Sequence, residues 1–122
     1  MSIAIQPNEK YLLISFSENN INTDSVSQLK DYTSTADNEN YIILDFSNIR
    51  SIDRQMLLDF EAQLQQIIAT DGYIVFASDD EKINTDIAAT FNDPDLLILP
   101  SVDEAIDYVY MDEIEKDIGG EG

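Results

Sequence analysis

Cysteine and histidine are both missing from these 122 residues, and tryptophan with them. Without cysteine the chain can form no disulfide, offers neither a thiol nucleophile nor a thiolate metal ligand, and carries no sign of an oxidising compartment. Without histidine it has no side chain that ordinarily titrates near neutrality, so any catalysis would fall to carboxylates, lysine, tyrosine or hydroxyl groups. Positive charge is scarce as well: six Lys and Arg stand against 25 Asp and Glu, a formal net charge of −19. That balance opposes attraction to nucleic acid and to an anionic membrane surface, and favours a basic partner. Apolar runs are short, and none approaches the roughly 20 residues needed to span a bilayer. The N-terminal MSIAIQPNEK lacks the basic start and long apolar core of a signal peptide, so the expected location is the cytoplasm. No Gly-rich phosphate loop, G-x-S-x-G elbow or Ser/His/Asp set occurs; no enzyme activity, cofactor or metal is expected.

What is present centres on Tyr41 to Ile68, YIILDFSNIRSIDRQMLLDFEAQLQQII. Tyr41-Ile42-Ile43-Leu44 is a continuous apolar run, the pattern of a central strand covered on both faces of a mainly parallel sheet. After a short polar turn, Leu57, Phe60, Leu64, Ile67 and Ile68 recur at helical spacing and predict a helix with one face on that sheet. Asp53 stands where an N-cap belongs, and Gly72 where a helix C-terminus is expected.

The flanking chain follows the same grammar. Ile3-Ala4-Ile5 and Tyr11 to Phe16 read as two strands of an antiparallel hairpin around Pro7 to Lys10. Thr23 or Asp24 could cap a helix carrying Val26, Leu29, Tyr32 or Thr33, and Ala36; a loop, Asp37 to Asn40, then returns to the central strand. Tyr73 to Ala77 and Leu96 to Leu99 predict two more buried strands. Ser78 with Glu81, and Ser101 with Glu104, have capping-box spacing. They open helices carrying Ile83, Ile87, Ala88 and Phe91, and Val102, Ala105, Ile106 and Val109. The expected fold is a single α/β domain over 1–111: a single-layer mixed, mainly parallel sheet with an N-terminal β-hairpin and helices packed on it, ββαβαβαβα. Residues 112–122, acidic and glycine-ended, read as a flexible tail able to engage a basic protein.

Two of the few cations, Arg50 and Arg54, bracket the turn after the central strand. Arg54 falls just inside a helix N-terminus, where the dipole disfavours a cation by a few tenths of a kcal/mol to about 1. Pairing with Asp53 or another carboxylate is the ordinary explanation; a local positive spot for an acidic partner surface is the alternative. Asp79, Asp80 and Glu81 lie at a strand end, yet the helix dipole alone accounts for acids there and their spacing is not that of a calcium loop.

The element order and the turn resemble the STAS domain, the fold of bacterial anti-sigma factor antagonists and of the cytoplasmic tails of sulphate transporters. The resemblance spans roughly residues 3 to 110. It is most specific in YIILDFSNIRSID, with weaker agreement at Ile21-Asn22, YIVFAS and LLILPSVDEAI. In that family the hydroxyl residue directly after the Asp is phosphorylated by a partner serine kinase that doubles as the anti-sigma factor. The Asp corresponds to Asp53. The phosphoacceptor position holds Arg54, followed by Gln55 and Met56 where the family has a small residue and Gly.

The resemblance implies a non-catalytic protein-binding module that regulates a signalling partner, an anti-sigma factor or serine kinase-like protein in bacterial transcription, without phosphorylation at the usual site. The expected docking surface is Ser47, Asn48, Arg50, Ser51, Asp53, Arg54, Gln55, Met56 and Leu58. A second reading places a small ligand or nucleotide at the strand ends near Asp45, Ser47 and Ser78.

Overall fold

The computed structural model describes residues 2–35 and 38–121, with 117–121 as backbone only. The strands are β1 (Ile3–Pro7), β2 (Leu12–Phe16), β3 (Glu39–Asp45), β4 (Ile68–Ala77) and β5 (Leu97–Leu99). The helices are α1 (Thr23–Thr33), α2 (Arg54–Leu64), α3 (Glu81–Phe91) and α4 (Val102–Glu121). The strands form one sheet in the order β1-β2-β3-β4-β5, antiparallel between β1 and β2 and parallel from there on. Element order, hairpin and central strand are as the sequence pattern predicts.

Because side chains alternate across a strand, the apolar run of β3 serves two cores. Ile42 and Leu44 face the side that Leu29 of α1, Leu57, Phe60 and Leu64 of α2, and Ile83 and Ile87 of α3 cover. Tyr41 and Ile43 face the other side, where Val75 of β4 meets Ala105 and Val109 of α4. All four β3 side chains are at most 1% exposed. The first core is tied by a run of edge-to-face and tilted rings, Phe16 with Phe46 and Phe60, and Phe46 with Phe76, each at 5.3 Å between centroids.

Several local expectations are corrected. Helix α1 is capped by Asn22, not by Thr23 or Asp24: the Asn22 side chain accepts from Ser25 N–H and the Ser25 hydroxyl accepts from Asn22 N–H, a reciprocal box. Ser25 is in turn buried against Ser2, hydroxyl to hydroxyl at 2.7 Å. Ala36 and Asp37 lie outside the described residues. In α3 the cap is Asp80, whose carboxylate accepts from Lys82 and Ile83 N–H. Ser78 still belongs to the sheet edge, its N–H bonded to Leu99 O. Ala88 is exposed, off the buried stripe. Strand β5 is half-buried rather than buried, being a short edge strand.

The stripe of α2 does not continue through Ile67 and Ile68. Helix α2 ends at Leu64, and Ile68 opens β4, because Glu39 N–H bonds Ile67 O at 2.6 Å and sheet pairing outweighs the helical period there. The register passes from Glu39↔Ile68 to Tyr41↔Tyr73, so residues 69–72 bulge out opposite Asn40. Gly72 serves that bulge and not a helix end. A Cβ on it would lie 2.8 Å from the Ile68 side chain and 2.9 Å from Asn40 O.

Helix α4 runs to Glu121, past the expected boundary at Met111. Residues 112–116 are fastened to the rest of the fold: Tyr41 donates to Asp112, Lys10 pairs with Glu113 at 3.8 Å, and the Lys116 ammonium sits about 5 Å over the rings of Tyr41 and Tyr73.

Candidate functional site: the turn between β3 and α2

Strand β3 ends at Asp45, and the chain must turn from the sheet edge into α2 within the eight residues Phe46 to Asp53. Two apolar residues anchor that passage. Phe46 and Ile49 are fully buried, while Ile52 is half-buried against the same core. The polar residues between them are thereby held outward. Backbone bonds lock the shape: Ile49 N–H to Phe46 O, and Arg50 N–H to Asn19 O at 2.8 Å, which clasps the turn to the loop between β2 and α1. Sequence reasoning missed Asn19 and the structural weight of Ile49. The lone isoleucine between Asn48 and Arg50 is the signal that could have found the anchor.

Within the turn several expected contact residues are engaged by the turn itself. Asp45 accepts from Ser47 N–H at 3.0 Å, and Asn48 donates its side-chain amide to Phe16 O at 2.9 Å. The Arg50 guanidinium donates to the carbonyls of Ser47 and Ile49, so its charge is placed but its donors are partly consumed. Ser47 and Ser51 are exposed. Ser78, one residue beyond the Ala77 that pairs with Asp45, is 3% exposed and its hydroxyl accepts from Asp80 N–H. Its side chain is turned inward rather than toward a visitor at the strand ends.

Asp53 caps α2 as expected, one carboxylate oxygen accepting from Gln55 N–H at 3.0 Å and Met56 N–H at 3.2 Å. Arg54 is the first helical residue and is exposed. Among the described residues it makes no ion pair, so the ordinary explanation, pairing with Asp53 or another carboxylate, does not hold. The geometry explains this. Asp53 spends its oxygen on helix amides, and α2 has no acidic residue in its first turn. A free guanidinium therefore stands on the positive end of a helix dipole, on a protein of net charge −19.

Gln55 is exposed and its amide reaches Asp59 one turn on, at 2.9 Å. Met56 is half-buried against the core. Leu58 is half-buried too, not an exposed leucine. The exposed residues of the turn are Ser47, Asn48, Arg50, Ser51, Asp53, Arg54 and Gln55, of which Asn48, Arg50 and Asp53 also hold the turn together through their side chains. Among the described residues no group of three or more Asp or Glu could hold a metal ion, and no helix is long and apolar enough to cross a membrane.

The structure is similar to that of an anti-sigma factor antagonist from Mycobacterium paratuberculosis, with a TM-score of 0.69 and 14% identity over 88% of this chain and 92% of the other. It is similar to the anti-sigma factor antagonist SpoIIAA in its unphosphorylated form, at a TM-score of 0.65 and 15% identity over 88% of this chain and 97% of that one. The Bacillus cell fate determinant SpoIIAA in its phosphorylated form gives a TM-score of 0.60 and 17% identity, over 88% and 98%. No family model matches the sequence, and no curated protein does. The fold is that of STAS-type anti-sigma factor antagonists: a five-stranded mixed sheet with one antiparallel pair and four helices.

Proposed function

We propose that this chain is a non-catalytic protein-interaction module of the anti-sigma factor antagonist type, docking a signalling protein through the turn from Ser47 to Gln55 and the start of α2. The observation that carries this reading is the exposed, ion-pair-free Arg54 directly after the N-cap Asp53. A fold whose solved examples include a phosphorylated form supports regulation by a partner. Arginine has no hydroxyl for a serine kinase to phosphorylate, so at this position the switch of charge is replaced by a constant cation. The partner presents an acidic patch to it, is an anti-sigma factor, a serine kinase-like protein or another signalling protein, and meets this chain away from membrane and nucleic acid.

The test is affinity capture with the intact chain and with Arg54→Glu in parallel, followed by calorimetry on the protein captured. Arg54→Glu should weaken its Kd by about tenfold or more, and the intact interaction should weaken with salt. An unchanged Kd removes the arginine from the interface. Mass spectrometry of the chain after incubation with the partner and ATP should show no phosphate between Ser47 and Met56; phosphate on Ser47 or Ser51 would overturn the unregulated reading.

A further inference from the structure

At the other end of the sheet, where β4 begins, a cavity of about 450 Å³ opens between α2 and α3. Its nearest α2 residue, Glu61, stands about 10 Å along the helix from Arg54, so the cavity is separate from the turn that opens α2. Its apolar walls come from Ile74 and Phe76 of β4, Phe91 of α3 and Leu96. Phe76 and Phe91 stack at a tilt, 5.8 Å between centroids. The size falls within the range of sites that take small organic molecules, roughly 300–1,000 Å³.

The rim is of one sign. Glu61 comes from α2, and Asp93 and Asp95 from the loop after α3; the lining includes no Lys or Arg. That loop is built to hold its acids in place. Asn92 ends α3 in the left-handed region at φ 48°, and Asp93 accepts from Asp95 N–H at 2.9 Å. Among the described residues none of the three carboxylates is in an ion pair. An aromatic floor below uncompensated carboxylates is suited to a cation carried on an apolar body, whose ammonium can donate to several oxygens while its body displaces water from the rings. The same rim repels anions, nucleotides included, and repels a second copy of this acidic chain.

We propose that this cavity is a binding site for a small organic amine with an aryl or alkyl body. The experiment uses the ¹⁵N-labelled full chain titrated with 2-phenylethylamine, and with 2-phenylethanol and 3-phenylpropionate as neutral and anionic counterparts. The amine should shift the amides of residues 68–74 and 91–96 saturably, the alcohol should bind about fivefold or more weakly, and the acid should not bind. Asp93→Asn with Asp95→Asn should weaken the amine about tenfold. Asp103→Asn, on the exposed side of α4, should leave it unchanged, which separates the site from the overall charge. If the double variant is poorly folded, Glu61→Gln takes its place. Equal binding of the three compounds, saturable shifts elsewhere, equal loss in Asp103→Asn, or binding there of a Lys-rich peptide but not of the amine would each overturn the proposal.

Discussion

Tyr41, on the middle strand, donates its phenolic hydrogen to Asp112 on α4 at 2.5 Å, joining residues 71 apart in sequence. Lys116 completes the arrangement, 3.5 Å from the Asp112 carboxylate and 5.0 Å over the Tyr41 ring. The last helix is thus fastened to the sheet by a buried tyrosine whose ring stacks on Tyr73, 6.4 Å between centroids, and whose hydroxyl reaches the Asp112 carboxylate.

Burial, the hydrogen bond to Asp112 and the charges of Asp112 and Glu113 together raise the Tyr41 pKa well above 10, and burial with Asp112 raises that of Tyr108. The folded state therefore keeps these protons at a pH where the unfolded chain loses them. Their stabilising effect is whole below about pH 10 and is lost as pH climbs above it, by at most about 1.4 kcal/mol per unit for each tyrosine. Tyr41→Phe should lower stability at pH 7 by about 1–2 kcal/mol, since it removes a hydrogen bond to a charged group. It should also flatten the alkaline slope. Urea unfolding from pH 7 to 11 measures both, and an unaltered slope would show that Tyr41 is not the group responsible.

Arg54 stands at the positive end of the helix dipole and, among the described residues, pairs with no carboxylate. Replacing it with serine or glutamate should therefore raise the stability of the free protein, by about 0.3–1 kcal/mol. The same variants should weaken partner binding. Chemical denaturation of Arg54→Glu checks the first half without a partner; a loss of stability would mean that the arginine has a structural role.

Gly72→Ala should destabilise by about 1–3 kcal/mol, because the added methyl meets Ile68 and the Asn40 carbonyl inside van der Waals distance. The Asn40 contact is with backbone, so relief requires a shift in the bulge that faces it. Thermal unfolding measures the effect, and backbone amide shifts should be confined to residues 39–41 and 68–74.

The order of elements was legible because apolar periodicity is a local property: a strand buried on both faces must read like Tyr41 to Leu44, and a helix on one face like Leu57, Phe60 and Leu64. Caps proved less legible. Asn22 and Asp80 won over Thr23 and Ser78 because a cap depends on where the preceding strand or loop releases the chain, and neighbouring polar residues are chemically near equivalent. The location of the turn between β3 and α2 also came from the chain itself, as an apolar strand followed by a polar stretch and an Asp before a helical stripe.

Which residues of that turn are free was decided by distant partners. Asn48 stays exposed but gives its amide to Phe16 O, Leu58 is half-buried on its helix, and at the neighbouring strand end Ser78 is buried with its hydroxyl accepting from Asp80 N–H. Arg54 went the other way, from an expected ion pair to an isolated charge. Residues 112–116 of α4 are fastened by contacts with Tyr41, Tyr73 and Lys10 that no local window contains. Local periodicity encodes which face of an element is apolar. Pairing, burial and the loss of a side chain's freedom to bind elsewhere arise only when elements far apart in the chain are brought within a few ångströms, and that is a property of the folded whole.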